Sequence, residues 1–531
     1  MTKKSPSKKI IKTQDKLTLD ELNQLVFKFP SDLTYLRLRG EAYLESEQFE
    51  FAIRDFARVV AEDNKNIDAL INFGSCLIRC NQYDHAREIL EYVLELDPIN
   101  LNAHINICSV FQALGQPEES LKMAFKAIEI NPNLALAYNN LGTALGELQM
   151  IDAAREAFKT SLALDPAYVP SAVNLAQLEI KLGRHDEAID LYENILTSNS
   201  LTKNYEQLIK YFLSYSYLFK GNLKKGWDYY EFGFGPLLPL SSLRSTRKFK
   251  QPRWNGQSIG QKKLLIWREQ GIGDEIEFLS CLPDVLNITR NIILECDARL
   301  VNIYIRLYPD IVVRPESINA RGEQLVHDFD YQCPVGSLPR IFRQEIKDFL
   351  KPNTRYLPLI NLKKNFTERL SGNKKLLVGI SWRSGKLQAG RNAHYTGLAD
   401  WKELLKNKNI QCVNLQYGDC EAELKEVENQ FDTHILRWQD IDLKNDLESV
   451  IALIQNLDCV VSVGTAVSSL SAASGVKTFL LTPKTWILLG EAKIYPWFDS
   501  VVPLISEHGQ LVAENIKYLP DLLKQHFSGK Y

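Results

Sequence analysis

Three short segments carry residue types suited to a phosphate-bearing ligand. The first is LLIWREQGIGDEIEF, Leu264 to Phe278: an apolar run, then Gly271 and Gly273, then a helical pattern beginning near Asp274. Glycine lets a backbone turn sharply and lets a ligand approach closely. A bare G-x-G lacks the third glycine of a dinucleotide site, and the chain has no Walker A string. The second is SVGTAVSSLSAASG, Ser462 to Gly475, where a strand ends near Val463 and a helix starts within 465–468. Open N–H groups at that start, with the hydroxyls of Thr465 and Ser468, suit an anion held by Gly464, Thr465, Ala466, Val467 and Ser468. An ordinary strand-to-helix turn with small residues for packing is the plainer alternative. The third is SWRSGKLQAGRNAHYTG, Ser381 to Gly397, where Arg383, Lys386 and Arg391 follow a strand end. Guanidinium forks suit phosphates, although a solvated basic loop would have the same composition. His394 stands alone, which fits a structural role better than a ligand or an acid. Gln416 and Tyr417 end another strand and are placed to touch a base or a sugar. Asp328-Phe329-Asp330 and Asp440-Ile441-Asp442 are acidic strings of a kind common on surfaces, and no metal site is expected.

These segments need a scaffold of strands ending in loops. From residue 263 short apolar runs alternate with amphipathic stretches. Strands are expected at 262–267, 291–296, 376–382, 411–416, 459–463 and 477–482, and helices around 274–287, 296–307, 398–408, 420–430 and 466–474. Such alternation implies parallel sheets. It comes in two blocks, 263–360 and 376–531, joined by a polar linker at 361–375. Two facing domains of this kind form a cleft, the usual place for a ligand.

The first 200 residues have a different grammar. Asp97-Pro98, Asn131-Pro132 and Asp165-Pro166 recur every 34 residues. Small residues fall in phase at Gly40, Gly74, Cys108, Gly142 and Ala176, and again at Ala52, Ala86, Ser120, Ala154 and Ala188. Phe56, Leu90, Ala124, Phe158 and Tyr192 form an in-phase series that is mostly large. Small residues let paired helices approach, large ones fill the gap, and Pro ends the second helix. Period and pattern are those of tetratricopeptide repeats, five of them plus a shifted helix pair over 33–232. Residues 1–32 read as a flexible basic tail and a first helix, and 233–262 as an irregular connector. Asn72, Asn106, Asn140 and Asn174 occupy one position in four consecutive units. An Asn amide offers a donor and an acceptor, so this series could hold an extended peptide by its backbone. Asn is also simply common at that position.

Composition bounds the rest. The chain has 531 residues, 45% hydrophobic and 24% charged, which excludes wholesale disorder and fibres. With 63 basic and 65 acidic residues, the charge of −2 argues against a nucleic-acid partner. Nine scattered cysteines without a CxxC pair suit reduced thiols. Cys76 and Cys80, four apart on an expected helix, read as small core side chains. The start, MTKKSPSKKIIKTQDK, has no apolar core of the length a secretory signal needs. The longest uncharged stretch, Cys459 to Val476, is rich in Ser, Gly and Thr, so no integral membrane segment is expected. A cytoplasmic protein is the expectation.

The order W-x-E-Q-G-x-G-D, DYQCPVGSLPR (330–340), VGISWRSG (378–385) and the Val-Gly-Thr-Ala-Val loop resembles the GT-B glycosyltransferase domain related to ADP-heptose:lipopolysaccharide heptosyltransferases. The variant resembled is the bacterial kind fused to tetratricopeptide repeats. SWRSG, HYTGLADW (394–401) and VNLQYGDCEAEL (413–424) are most similar to members associated with flagellin glycosylation. The resemblance covers roughly 220–500 plus the repeats, and the Asn series resembles the asparagine ladder of protein O-GlcNAc transferases. The fold class implied is an α superhelix of repeats followed by a GT-B fold of two Rossmann-like domains. The resemblance implies Asp274 as general base, with Glu269 and Glu277 as competing carboxylates; capping the helix is the alternative role of Asp274. It implies a donor site drawn from Gly271, Gly273, Ser381, Arg383, Lys386, Gln416, Tyr417, Gly464, Thr465, Ala466, Val467 and Ser468, and an acceptor site on the four Asn residues. Glu277 stands where the family usually has Gln, Gly464 where it has Asp, and Ser469 where it has His. The function implied is metal-independent transfer of a sugar from a nucleotide-activated donor, with no further cofactor, to Ser or Thr of a flagellin-like protein. A lipid-linked saccharide acceptor and a non-catalytic scaffold with a degenerate donor site are the alternatives.

Overall fold

The computed structural model describes residues 17–197, 201–234, 247–319, 322–349, 357, 363–384, 395–491, 493–507 and 510–530. The basic start, much of the connector and the loop bearing Lys386, Arg391 and His394 lie outside those residues. The chain divides into two compact units, one running to Glu179 and including Thr197, the other comprising Ile180–Leu196 and everything from Leu201.

The first unit is a tetratricopeptide superhelix. Its helix pairs are Leu33–Glu45 with Phe49–Glu62, Ile67–Arg79 with Tyr83–Leu96, Leu101–Ala113 with Pro117–Ile130, and Ala135–Glu147 with Ile151–Leu164, followed by Val169–Lys181. Side chains of Asp32, Asn66 and Asn100 accept first-turn N–H groups at 3.0–3.2 Å, so a polar residue starts the first helix of the first three pairs, whereas Leu134 precedes the fourth without a side-chain cap. Between the two helices of a pair the backbone turns through a left-handed residue, at Glu47, Asn81, Gly115 and Gln149, again 34 apart. Only one of these four is the glycine that such a φ favours, which is why composition alone does not mark the turn.

Inside each pair the small residue of the first helix faces the large residue of the second. A Cβ on Gly142 would fall 2.6 Å from the Phe158 ring, and one on Gly74 2.9 Å from Leu90. The third pair has Cys108 and Ala124 at the corresponding positions, both buried, and Cys108 Sγ meets Ser120 Oγ at 3.1 Å. Gly146, one turn beyond Gly142 in the same helix, has open space, its nearest neighbour being Ala154 at 3.9 Å. Gly146→Ala should therefore stabilise the protein by ~0.5–1 kcal/mol through helix propensity. Gly142→Ala should destabilise it by ~1–3 kcal/mol, because the ring has to move. Thermal unfolding of the two variants side by side checks the opposite signs.

The second unit begins with the helices His185–Leu196, Lys203–Phe219 and Leu223–Tyr230 and continues into two parallel sheets. Strands β1 (Leu264–Trp267), β2 (Ile292–Cys296), β3 (Val312–Pro315) and β4 (Tyr331–Pro334) form the first, in the order β3-β2-β1-β4. Strands β5 (Leu376–Ser381), β6 (Ile410–Asn414), β7 (Cys459–Val463), β8 (Lys477–Pro483) and β9 (Val501–Ser506) form the second, in the order β6-β5-β7-β8-β9. Every pairing is parallel. The fully buried runs LLIW, IILEC, LLVGIS and CVVSV are strands in the middle of their sheets. Strands β3, β4 and β9 went unrecognised in the sequence: β3 is largely uncovered, β4 ends in Pro334, and β9 carries Pro503, which an edge position tolerates.

Two other differences concern the joints. The expected linker contains a helix, Lys363–Arg369. The end of the expected connector is docked: Trp254 is buried and its N–H bonds the Gln332 carbonyl at 2.9 Å, while the Arg247 side chain is sealed against Glu295. All nine cysteines are free; Cys76 is buried and Cys80 half-buried. No helix among the described residues is long and apolar enough to cross a membrane.

Candidate functional site

Strand β1 runs into Gly271, the N-cap of the helix Ile272–Phe278. Strand β7 runs through Gly464 into Thr465, the N-cap of the helix Ala466–Ala473. The two turns meet. A Cβ on Gly273 would sit 3.2 Å from Ser469 Oγ and 3.9 Å from the Ala466 Cα, so the two helices approach closely there and a side chain at 273 would press on Ser469. Between the turns lies a cavity of about 390 Å³ at the carboxyl ends of strands from both sheets.

Its floor is Gly271, Gly273, Asp274 and Glu277 on one side and Gly464, Thr465, Ala466, Ser468 and Ser469 on the other. Tyr417 closes it beyond β6, and Ser384 and Tyr395 beyond β5. Leu480, Thr482, Trp486, Ile487 and Tyr495 close it at β8 and the segment after it. Of the sequence candidates, the structure thus gathers Gly271, Gly273, Asp274, Tyr417, Gly464, Thr465, Ala466 and Ser468. A Cβ on Gly464 would meet nothing within 4 Å, so the turn leaves room there. The Ser468 hydroxyl is engaged in closing its own turn: it donates to the Thr465 carbonyl at 2.6 Å and accepts the Thr465 N–H at 3.1 Å. That makes the helix start regular and leaves first-turn N–H groups to whatever occupies the cavity.

Other candidates stand behind the wall. Gln416 is buried, and its Oε1 accepts the N–H groups of Trp382 and Arg383 at 3.1 and 3.0 Å and the Ser381 hydroxyl at 3.3 Å. It shapes the turn after β5 rather than facing the cavity, and Ser381 and Val467 are buried with it. Arg383 is held by Glu423, its Nε at 3.1 Å, and by the Asp419 carbonyl at 2.9 Å. The Glu423 partner raises the guanidinium pKa further. Lys386 lies outside the described residues.

The four carboxylates of the glycine segment have separate places. Glu269 accepts the Gly336 N–H at 2.8 Å and Glu275 accepts Arg268 Nε at 2.9 Å, both away from the cavity. Asp274 and Glu277, three apart on one helix face, line it. Glu277 is 7% exposed. Its Oε1 accepts the Tyr495 hydroxyl at 2.6 Å and the Ser469 hydroxyl at 3.1 Å. Burial first, then the Asp274 charge, push its carboxyl up to about 8 against the downward pull of those two hydrogen bonds. Rings, hydroxyls and carboxyls are the groups that hold a carbohydrate: rings meet its C–H faces, and the polar groups its hydroxyls.

Trp486 and Tyr495 were not among the sequence candidates. They sit in PKTWILLGEAKIYPWF, the aromatic-rich stretch after β8. The rule that ligands sit beyond strand carboxyl ends would have pointed there. Trp486 also packs on Tyr215 at 5.5 Å and Tyr230 at 6.1 Å, and Gln270 Nε2 donates to the Tyr230 hydroxyl at 2.6 Å. The helix pair Lys203–Phe219 and Leu223–Tyr230 therefore braces both the glycine turn and the aromatic wall.

In the first unit a second hollow, about 350 Å³, is lined by Asn106 together with Ser75, Arg79, Phe49 and neighbours. Asn106 Nδ2 donates to Ser75 Oγ and Asn174 Nδ2 to Asn139 Oδ1, both at 3.0 Å. Asn140 is buried with its amide nitrogen unbonded, and Asn72 is half-buried.

Comparison with known proteins agrees on the repeats. Residues 43–91 and 147–209 match one tetratricopeptide repeat family and 124–156 another. Such repeats commonly mediate binding between proteins. Protein FlbA of Caulobacter vibrioides is 28% identical over 454 residues, covering 82% of this chain and 75% of that protein. A probable UDP-N-acetylglucosamine–peptide N-acetylglucosaminyltransferase SPINDLY of Hordeum vulgare is 24% identical over 153 residues, 28% of this chain and 16% of that protein. A solved thermophilic TPR protein of Thermus thermophilus matches at 20% identity and a TM-score of 0.31, over 33% of this chain and 96% of its own.

Proposed function

We propose that this chain is a glycosyltransferase of GT-B type that moves a sugar from a nucleotide-activated donor to Ser or Thr of a protein acceptor, flagellin-like in kind, bound by the repeats. The observation that carries the reading is the meeting of the Gly271–Asp274 and Gly464–Ser468 turns around one cavity with a carboxylate on its floor and aromatic rings on its wall. The similarity to FlbA over most of the chain, and to a relative named for sugar transfer to peptide, supports the pairing of repeats with this chemistry.

In the reaction, the acceptor oxygen attacks the anomeric carbon and its proton passes to Asp274. The bond from that carbon to the phosphate oxygen breaks, and the nucleotide leaves with the electron pair. First-turn N–H groups beyond Thr465 meet the charge that grows on the departing phosphate. The test is intact mass of a flagellin co-expressed with the protein and a set of activated sugars. A gain of whole sugar masses is expected; no gain with any of them overturns the reading.

The Asn positions divide labour with the cavity. Asn140 departs from the expectation, since its amide nitrogen is buried away from any peptide. Asn72→Ala combined with Asn106→Ala removes two half-buried amides of the series, each worth ~0.5–1.5 kcal/mol, so acceptor affinity should fall ~10-fold. Hydrolysis of the donor alone should not change. Equal loss of both would reject the division.

A further inference from the structure

We propose that Glu277 is a hydrogen-bond donor to an anionic oxygen of the nucleotide-activated donor, with Tyr495 and Ser469 fixing which of its two oxygens faces the cavity. The proposal rests on the donor-site reading above and deepens it.

The geometry sorts the two oxygens. The Tyr495 hydroxyl at 2.6 Å and the Ser469 hydroxyl at 3.1 Å both donate to Oε1. Tyr495 is buried against the carboxyl and its phenol is pushed well above the usual range, by burial first and then by Glu277, so it keeps its proton and donates. In a neutral carboxylic acid the carbonyl oxygen is the better acceptor and the hydroxyl oxygen the donor. Two donors on Oε1 make it the carbonyl and leave Oε2 as the O–H. The residue lines the cavity while 7% exposed, so little water competes for that proton.

The wall around it explains why a neutral donor is useful. Among the described lining residues there is no Lys, Arg or His. The titratable groups that share the space are Asp274 on the same helix, Tyr495 on the segment after β8, and Tyr395 and Tyr417 across the cavity. The helix Ala466–Ala473 contributes only hydroxyls there, from Ser468 and Ser469, with Thr465 at its cap. A phosphate oxygen placed against an ionised Glu277 would meet two carboxylates. Against the protonated one it meets a donor, and only the Asp274 charge remains. With the carboxyl raised to about 8, the donor form prevails at neutral pH and is lost as pH climbs through that value.

The experiment is calorimetric binding of UDP, GDP, ADP and CMP to the full chain from pH 6.5 to 9.5, in wild type, Glu277→Gln and Tyr495→Phe. In wild type, affinity for the tightest of these should weaken towards ~10-fold per pH unit above about 8. Glu277→Gln should bind with a flat profile, since its Nε2 is a permanent donor while its Oε1 still accepts from Tyr495 and Ser469. Tyr495→Phe should keep the slope and move its midpoint upward, since one hydrogen bond that favours the ionised form is gone. A flat wild-type profile, the same slope in Glu277→Gln, or no binding by any of the four nucleotides would overturn the proposal. Failure of sugar transfer with the pH slope intact would instead retire the glycosyl reading and keep the anion site.

Discussion

Asp274→Asn should lower turnover by ~10²–10⁴ while donor affinity holds, the loss that removal of a general base brings. Asn keeps the shape of Asp and can still accept a hydrogen bond, so the helix Ile272–Phe278 and the turn it opens should survive. What Asn lacks is the capacity to hold the acceptor proton as the new bond forms. Asp274 Oδ2 lies over the glycine turn, 3.4 Å from where a Cβ on Gly271 would stand, on the cavity floor opposite Thr465. The competing role, capping the helix, makes a different forecast: a loss of thermal stability with rate per folded molecule preserved. Single-turnover transfer and a melting curve on one preparation separate the two. Unchanged turnover would remove Asp274 from the reaction, and Glu277 would then be the remaining carboxyl on the cavity floor.

The two parts of the chain were legible to different depths. The repeats announce themselves because a 34-residue period places Gly142 against Phe158 and Gly74 against Leu90, contacts written directly as small and large residues. Buried central strands are legible for a similar reason, since both faces demand apolar side chains. The turns at Gly271 and Gly464 were readable because glycine and hydroxyl residues follow a strand. That they face one another was not, because the contact of Gly273 with Ser469 joins positions almost 200 residues apart. Arg383 and Gln416 carried the right chemistry for a ligand, and the structure occupies both with the chain itself. Composition cannot distinguish a guanidinium that waits for phosphate from one already holding Glu423. Aromatic residues such as Tyr495 read as core in a linear sequence, and only the fold puts their hydroxyls on a buried carboxyl.

The same blindness to partners hid a buried ion pair that joins the connector to the first sheet, and it yields the second large effect. Arg247→Met should destabilise the α/β region by ~3–5 kcal/mol, the cost of leaving a buried charge without its partner. The side chains of Arg247 and Glu295 are both 0% exposed, with Nη1 donating to Glu295 Oε2 at 2.6 Å and to Gln324 Oε1 at 3.1 Å. Nη2 reaches the Arg268 carbonyl at 3.3 Å and pairs with Glu316, and the guanidinium lies 4.9 Å from the centre of the Trp267 ring. Glu295 sits near the end of β2 and keeps Arg314 at 2.9 Å after the substitution, which softens the loss without replacing the fork. Met matches the apolar length of Arg, so lost packing contributes little. Arg247→Lys restores a charge but not the planar pair of bonds, and should recover only part of the stability. Urea unfolding followed by tryptophan fluorescence reads the difference, because Trp267 reports on the site itself. A cost below ~1 kcal/mol, the range of an exposed ion pair, would show that the joint is held by Trp254 and the strand edge alone.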